Sequence, residues 1–227
     1  MRIVTWNVRS LRDSRPDVVE VVRALVPDVL CLQEAPRFVL PTRQARRLAT
    51  DCGLVVATAG HPVGGVAVLV RPAVRVVASL RAPLPWTPGL HRRGIALALL
   101  ELDEGRVVAG SFHLGLGASE RARHVALMLA RVTEVAAPAV LGGDVNETDD
   151  GPAWRALASS YDDAWALVGS GDGRTFSTAK PRRRIDGVFV DRRLDVTAAR
   201  VVDDETVDLA SDHRPVVVDV RLTTKAG

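Results

Sequence analysis

Residues 140–146 read VLGGDVN, an apolar pair followed by two glycines and a polar end. The apolar pair Val140 and Leu141 is typical of a buried strand that delivers polar residues to the rim of a sheet. The two glycines that follow permit a close approach of backbone or ligand. In an extended strand, side chains two positions apart point the same way, so Asp144 and Asn146 are expected to face one site. An Asx turn after the strand accounts for the same two residues equally well.

Other apolar runs also have polar residues at one end, and these residues could meet at one rim of a sheet. They are Asn7 after residues 3–6, Glu34 after residues 29–32, His113 after residues 106–112, and the group SDHRP at residues 211–215, which precedes the last apolar run. Carboxylates and amides gathered in this way suit a hard divalent cation, and an Asp–His pair suits proton transfer. The constellation indicates a metal-dependent phosphoesterase.

Taken singly, each polar residue has a plainer explanation. An isolated Asn or Glu at a strand end is usually solvated, and an isolated His113 is more often a core or turn histidine. Asp186 can pair with its neighbour Arg184, or it can orient a histidine or a metal-bound water. Asp212 and His213 face opposite ways if the segment is extended, so Asp212 can serve His113 instead.

Composition and length favour one globular domain over residues 1–227. The chain has 227 residues, 47% of them apolar, with a net charge of +3 and a pI of about 9.4. Cys31 and Cys52 lie among apolar residues and are expected to be buried thiols. A strand-like run begins directly after Met1, which leaves no room for a signal peptide, and no apolar run approaches the roughly 20 residues that span a bilayer. A cytoplasmic protein without a membrane partner is expected.

Strands outnumber helices in the predicted pattern. Strands are predicted near 3–7, 29–32, 54–58, 65–70, 74–80, 94–101, 106–112, 140–141, 184–190, 194–202 and 215–221. Helices are predicted between Pro16 and Pro27, at 42–51, from an N-cap at Ser119 to Ala136, and at 152–160. Two packed sheets with helices on their outer faces would bury these patterns, which places the chain in the α/β class.

Six segments together resemble the endonuclease/exonuclease/phosphatase superfamily, which includes AP endonucleases, pancreatic-type deoxyribonuclease, neutral sphingomyelinases and inositol-polyphosphate 5-phosphatases. The segments are TWNV (5–8), DVLCLQE (28–34), SFHL (111–114), GDVN (143–146), RID (184–186) and SDHRP (211–215). Any one of them is a weak signal, but their order and spacing cover nearly the whole chain. The resemblance implies a four-layer α/β/β/α sandwich of two mixed, largely antiparallel sheets, with the active site at one rim.

The resemblance also implies a metal site. Glu34 binds Mg²⁺ or Mn²⁺ with Asn7 beside it, and Asp212 is a further ligand or an orienting group. Arg9 stands where AP endonucleases, which the opening WNVRSLR (6–12) resembles, often carry a polar or acidic residue near the metal. A second metal ligand is therefore not expected at that position.

The phosphate-binding half of the site is likewise implied by the resemblance. Asp144 positions or activates the attacking water, and Asn146 and His113 hold the phosphoryl oxygens. His213 stabilises the transition state and is oriented by a carboxylate such as Asp186. The nearest match to the family's phosphate-contacting arginine is Arg93.

The leading hypothesis for the substrate is DNA, cleaved by a nuclease that acts as a monomer. The residues that could contact a strand are a basic run with one aromatic (Arg174, Phe176, Lys180, Arg182, Arg183 and Arg184) and the loop 83–93 with Trp86. A solvated loop and a Pro-rich connection with Trp86 packed down are the structural alternatives. The second hypothesis is a phosphatase or phosphodiesterase for a small metabolite or lipid head group. The third is a silent binding module, against which the complete residue set argues.

Overall fold

The computed structural model describes residues 1–36 and 40–222. Its strands are β1 (Arg2–Asn7), β2 (Val29–Gln33), β3 (Val55–Ala59), β4 (Ala67–Val70), β5 (Arg75–Pro83), β6 (Gly94–Leu102), β7 (Gly105–His113), β8 (Ala139–Asp144), β9 (Asp162–Asp163), β10 (Gly169–Ser170), β11 (Asp186–Val190), β12 (Leu194–Val201) and β13 (Val216–Leu222). Its helices are α1 (Arg15–Leu25), α2 (Pro41–Asp51), α3 (Ala118–Thr133), α4 (Pro152–Ser160), α5 (Ala164–Val168) and α6 (Glu205–Ala210).

The strands form two mixed, largely antiparallel sheets. The seven-stranded sheet has the order β10-β12-β13-β1-β2-β4-β3, and the six-stranded sheet has the order β5-β6-β7-β8-β11-β9. The central pairs β1/β2 and β7/β8 are parallel. Each sheet therefore brings two neighbouring strand ends to the same edge.

Three apolar cores separate four layers, as the sequence predicted. One core lies between the sheets and includes Ile3, Cys31, Ala109 and Val140. A second core packs α1, α2 and α6 on the seven-stranded sheet, and a third packs α3 and α4 on the six-stranded sheet. All residues of β2 are buried, which confirms the prediction from its continuous apolar run.

The helices differ from the predictions in their ends and in two short additions. The N-cap of α3 is Gly117, which has the extended backbone of a cap, so the predicted cap at Ser119 is wrong and the helix ends before Ala136. Helices α5 and α6 were not predicted, since five or six residues show no helical period. Their starts are capped by the side chains of Asp163 and Asp204. No helix in the described parts of the chain is long and apolar enough to cross a membrane.

Both cysteines are buried free thiols, as predicted. Burial raises the pKa of Cys31 to about 12 and that of Cys52 to about 11. Neither thiol is ionised near neutral pH, so neither is a nucleophile under those conditions.

At Gly142 the two sheets lie too close for a side chain. A Cβ atom on Gly142 would lie 2.8 Å from Thr5 Cβ and 3.1 Å from Cys31 Cβ, both on the opposite sheet. The space that the sequence left open for backbone or ligand is therefore filled by the neighbouring sheet. This glycine sets the separation of the sheets just below the candidate site.

Replacing Gly142 by alanine is expected to lower the free energy of unfolding by about 1–3 kcal/mol, because the added methyl group overpacks a closed core. Urea denaturation followed by circular dichroism measures the change. Ser79, an exposed residue of β5, gives the matched surface control, and Ser79→Ala should stay within about 0.5 kcal/mol of the parent. Equal midpoints for the two variants would contradict the close packing at Gly142.

Candidate active site at the rim between the sheets

The ends of the central strands place the candidate residues at one rim. Asn7 ends β1, His113 ends β7 and Asp144 ends β8. Asp186 begins β11 directly opposite Asp144, because these two strands are antiparallel. Strand β13 runs antiparallel to β1, so the preceding segment 211–215 also lies at this edge.

Asp144 lies at the centre of the site and is fully buried. Its Oδ2 accepts hydrogen bonds from Asn7 Nδ2 at 3.0 Å and from His113 Nε2 at 3.2 Å, and its Oδ1 accepts from the Asn146 amide at 2.9 Å. Burial opposes ionisation, but the charges and hydrogen bonds of His113, His213 and Asn7 outweigh it and lower the pKa of Asp144. The carboxylate is therefore ionised and held in one orientation.

Asn146 does not continue the strand. Its backbone is left-handed, with φ of 57°, and its amide closes a turn on the Asp144 carboxylate. The expectation that both side chains point the same way along an extended strand is therefore wrong, and the Asx turn is present. Asn146 Nδ2 donates to the carbonyl of Leu114 at 3.0 Å, which leaves the second amide hydrogen for another acceptor.

His113 lies between Arg93 and Asp144. Arg93 Nη1 lies 2.9 Å from His113 Nδ1, and because an arginine can only donate, this nitrogen accepts and the proton sits on Nε2, facing Asp144. Burial, helped by the charge of Arg93, lowers the pKa of His113. The imidazole is thus neutral. The alternative that Asp212 serves His113 is wrong, because Arg93 and Asp144 occupy both ring nitrogens.

His213 has the opposite character. Its Nδ1 donates to Asp186 Oδ2 at 2.9 Å, and its Nε2 lies 3.9 Å from Asp144 Oδ2. Burial alone would lower its pKa, but the charge and hydrogen bond of Asp186, with the charge of Asp144, raise it to about 9. His213 is therefore a buried cation near neutral pH. The plainer explanation for Asp186, a pair with Arg184, is not what the structure has.

Several residues outside the predicted set hold these groups in place. Trp6 Nε1 donates to the His213 carbonyl at 2.7 Å, and Ser211 Oγ donates to the Asn7 carbonyl at 2.7 Å. Thr175 Oγ1 accepts from the Asp186 amide at 3.2 Å. Trp6 and Ser211 belong to sequence motifs already noted, but only the pairing of β1 with β13 reveals what they do.

Below the rim, a buried polar bridge joins the two sheets. Gln33 Nε2 donates to Thr5 Oγ1 at 3.1 Å and to Ser111 Oγ at 3.0 Å, and Ser111 Oγ donates to the Leu32 carbonyl at 2.8 Å. Thr5, Leu32 and Gln33 belong to one sheet and Ser111 to the other. The bridge fixes the position of Asn7 relative to Asp144.

The cluster of Asp144, Asp186 and His213 has its ligand atoms within 4.8 Å of one another. A protonated His213 already supplies positive charge between the two carboxylates. Asp186 Oδ1 is buried without a hydrogen-bond partner, so one acceptor there is unsatisfied. The inner cluster therefore suits a bound proton, and a divalent ion fits better at the donors nearer to solvent.

The outer donors are Glu34 and Asp212, which are partly exposed, together with the buried Asn7 at the end of β1. Glu34 is partly exposed, and its carboxylate has no hydrogen bond or ion pair to any described residue. Asn7 Oδ1 accepts from the Arg9 amide at 3.0 Å, and Asp212 Oδ2 lies 3.4 Å from Arg9 Nε. Two carboxylates and an amide oxygen are oxygen ligands of the kind that Mg²⁺ and Mn²⁺ prefer, so these donor types fit such an ion.

Two further polar residues are buried beneath the surface. His124 lies on the inner face of α3, where Nδ1 accepts from the Gly115 amide at 3.2 Å. Its spacing from Arg121, Val125 and Met128, which share that face, was the available signal. Arg184 is buried and paired with Asp163, so it is unavailable to a nucleic-acid strand.

Other members of the predicted nucleic-acid segments are accessible. Arg174, Lys180, Arg182 and Arg183 are exposed, and the guanidinium of Arg183 lies 4.9 Å from the centre of the Phe176 ring. The Phe176 ring itself packs on His213, with 4.7 Å between centroids.

In the loop 83–93, Trp86 is 46% exposed and does not pack down. Arg92 lies 4.6 Å from the centre of the Trp86 ring. An aromatic ring and a cation therefore face solvent together.

A cavity of about 560 Å³ has Ala35, Gly65, His61 and Arg92 among its lining residues. Two of these residues are chain neighbours of candidate site residues, since Ala35 follows Glu34 and Arg92 precedes Arg93.

Comparisons with solved structures agree with this architecture. The chain superposes on a Beutenbergia cavernae endonuclease/exonuclease/phosphatase with a TM-score of 0.75 and 26% identity, covering 98% of this chain and 71% of the other. A Bacteroides thetaiotaomicron mannosyl-6-phosphatase superposes with a TM-score of 0.83 and 19% identity, covering 97% of this chain and 99% of the other. The human Nocturnin catalytic domain with bound sulfate superposes with a TM-score of 0.78 and 20% identity, covering 98% of this chain and 93% of the other. None of the curated proteins matches the chain significantly.

The sequence itself carries the family signature. The model of the Endonuclease/Exonuclease/phosphatase family matches residues 4–213, a span that runs from β1 to His213 and contains every candidate site residue. The chain therefore belongs to the endonuclease/exonuclease/phosphatase family of phosphoesterases.

Proposed function

We propose that the protein is a Mg²⁺- or Mn²⁺-dependent phosphodiester hydrolase that cleaves DNA by in-line attack of water. One observation carries this proposal. The ionised Asp144 lies between a neutral His113 at 3.2 Å and a cationic His213 at 3.9 Å. A fixed negative group beside a fixed positive group suits a reaction in which water attacks a phosphorus centre whose oxygens gain charge.

Asn7, Glu34 and Asp212 would hold the divalent ion, which supplies charge stabilisation to a phosphoryl oxygen when it is bound. The chain's own residues provide the rest. Asp144 orients the attacking water, and its lowered pKa keeps it ionised for that task. His213, fixed by Asp186, donates a hydrogen bond from Nε2 to a phosphoryl oxygen as charge develops there.

Arg93, His113 and Asn146 complete the site. Arg93 fixes the His113 tautomer through Nδ1, so the proton on His113 Nε2 is donated to Asp144 and holds that carboxylate in place. Asn146 has one amide hydrogen to spare beyond its bond to Leu114, and this hydrogen would be donated to a phosphoryl oxygen.

DNA as the substrate is supported by the surface around His213. The Phe176 ring packs on this histidine and lies under the Arg183 guanidinium, and further exposed cations follow it in sequence. Stacking by an aromatic ring and neutralisation of phosphates by arginines are the ordinary means of holding a strand. Trp86 with Arg92 provides a second such pair at the edge of the site.

A small phosphorylated metabolite or lipid head group is the second candidate. The cavity lined by Ala35 and Arg92, about 560 Å³ in volume, is large enough for the alcohol portion of such an ester. The neighbour from Bacteroides thetaiotaomicron is described as a mannosyl-6-phosphatase.

Incubation with end-labelled single-stranded, duplex and abasic-site DNA tests the proposal. We expect cutting with Mg²⁺ or Mn²⁺ and none with EDTA, and the product ladder will separate endonuclease from exonuclease action. Arg183→Gln should reduce DNA cleavage several-fold without changing hydrolysis of a small chromogenic phosphodiester. Arg193→Gln, at the opposite end of β11, removes the same charge and should change neither rate.

No cleavage of any DNA by a protein that still hydrolyses small phosphate esters would contradict the DNA assignment and favour the second candidate. No metal-dependent hydrolysis of any phosphate ester would contradict the proposed function as a whole.

A further inference from the structure

Arg9 lies at the outer edge of the site, immediately after β1. Its guanidinium contacts two carboxylates, with Nη1 3.0 Å from Asp13 Oδ1 and Nε 3.4 Å from Asp212 Oδ2. Its side chain is 45% exposed. The pKa of Arg9 is raised first by Asp13, then by the charges of Asp212 and Glu34.

All three outer donors therefore interact with the same residue. Asn7 Oδ1 accepts the backbone N–H of Arg9 at 3.0 Å, Asp212 pairs with its side chain, and Glu34 acts on it through charge. The Glu34 carbonyl also accepts the backbone N–H of Ser10 at 2.8 Å, which ties the Arg9 turn to the end of β2. The positive charge of Arg9 thus lies beside the donor set and partly balances the negative charge of Asp212.

We propose that Arg9 is a resident cation of the metal site: its guanidinium pairs with Asp212 and competes with the divalent ion for that carboxylate. This inference rests on the proposed function, because it assumes that Asn7, Glu34 and Asp212 hold the metal. Arg9 therefore weakens metal binding.

Asp13 can hold the Arg9 side chain after a divalent ion has displaced it from Asp212. It contacts the far nitrogen of the guanidinium, with both carboxylate oxygens within 3.2 Å of Nη1. The side chain can therefore leave Asp212 and keep its pair with Asp13. Because the guanidinium is partly in water, its contact with Asp212 is weak enough for a divalent ion to replace.

Isothermal titration calorimetry, in which MnCl₂ is added to the chelator-stripped protein, tests the inference without an activity assay. Arg9→Gln should bind Mn²⁺ about five- to tenfold more tightly, which is the effect expected when a positive charge several ångströms from a divalent ion is removed in a watery environment. Arg9→Lys, which keeps the charge, should stay closer to the parent. The rise in Tm caused by Mn²⁺ should also be larger for Arg9→Gln than for the parent.

Arg12 supplies the matched control, since it lies on the same exposed turn and forms no ion pair with any described residue. Arg12→Gln removes the same charge and should leave the Kd for Mn²⁺ nearly unchanged. Glu34→Gln should weaken Mn²⁺ binding and shows that the titration reports this site.

The outcomes separate the two proposals. Equal Kd values for the parent, Arg9→Gln and Arg12→Gln, with weaker binding by Glu34→Gln, would overturn the role of Arg9 and leave the metal site intact. Mn²⁺ binding that Glu34→Gln does not change, or no binding by any variant, would overturn the metal site and with it both proposals.

Discussion

Replacing His213 by alanine is expected to lower kcat by about a thousandfold, the loss typical of a donor to developing charge that also acts in proton transfer. The reason is its buried positive charge, held by the Asp186 bond at 2.9 Å and directed towards the Asp144 side of the site. Alanine removes that charge and leaves Asp186 without its partner. Steady-state hydrolysis of a phosphodiester measures the loss, and circular dichroism checks the fold.

Arg221 is an exposed cation at the end of β13 that lies away from residues 211–215, so Arg221→Ala is the matched control and should keep nearly the full rate. A companion variant, Asp186→Asn, tests the charge itself. The raised pKa of about 9 keeps His213 protonated below that pH, so parental activity that depends on the cation should fall as pH rises through about 9. Without Asp186 the alkaline limb should move to lower pH. An unchanged limb, or near-normal turnover in His213→Ala, would contradict this role.

Asp144→Asn is expected to lower kcat by roughly a thousandfold while preserving the fold, because the shape is kept and the charge is lost. The Asp144 carboxylate uses two acceptor oxygens, one for Asn7 and His113 and the other for the Asn146 backbone amide, whereas an amide side chain has only one acceptor oxygen. The NH₂ group must then face a donor, so the water-positioning geometry is lost with the charge.

The same hydrolysis assay and a thermal melt check the Asp144 prediction. Asp172→Asn neutralises an exposed carboxylate in a loop far along the chain and should change neither rate nor Tm. Retention of more than about a tenth of kcat in Asp144→Asn would show that this carboxylate is not required for the reaction, given the loss expected for such a group.

Local sequence predicted much of this arrangement because polar residues at strand ends are a direct signal. The apolar runs before Asn7, Glu34, His113 and Asp144 become buried or mostly buried strands, and parallel pairing of β1 with β2 and β7 with β8 brings their ends together. The conformation at Asn146 stayed open between an extended strand and an Asx turn, since a left-handed residue leaves no mark in the apolar pattern, and the structure has the Asx turn.

Pairings between distant segments could not be predicted from residue spacing. The contact of Asp186 with His213 depends on β11 lying against β8 and β13 against β1, in different sheets. The contact of Arg9 with Asp212 joins residues at opposite ends of the chain. The burial of Arg184 depends on Asp163, which caps a helix too short to be detected in advance.

The bridge of Thr5, Gln33 and Ser111 determines one way in which the protein can lose activity while it keeps its strands. Asn7 ends a strand of one sheet and His213 lies three residues before another strand of that sheet, whereas Asp144 and Asp186 belong to the other sheet, so neither half contains a working constellation. A partly unfolded molecule could keep the strands of both sheets and still be inactive, once the bridge opens and the halves separate. Turnover therefore reports whether the sheets are docked, whereas circular dichroism reports only whether the strands exist.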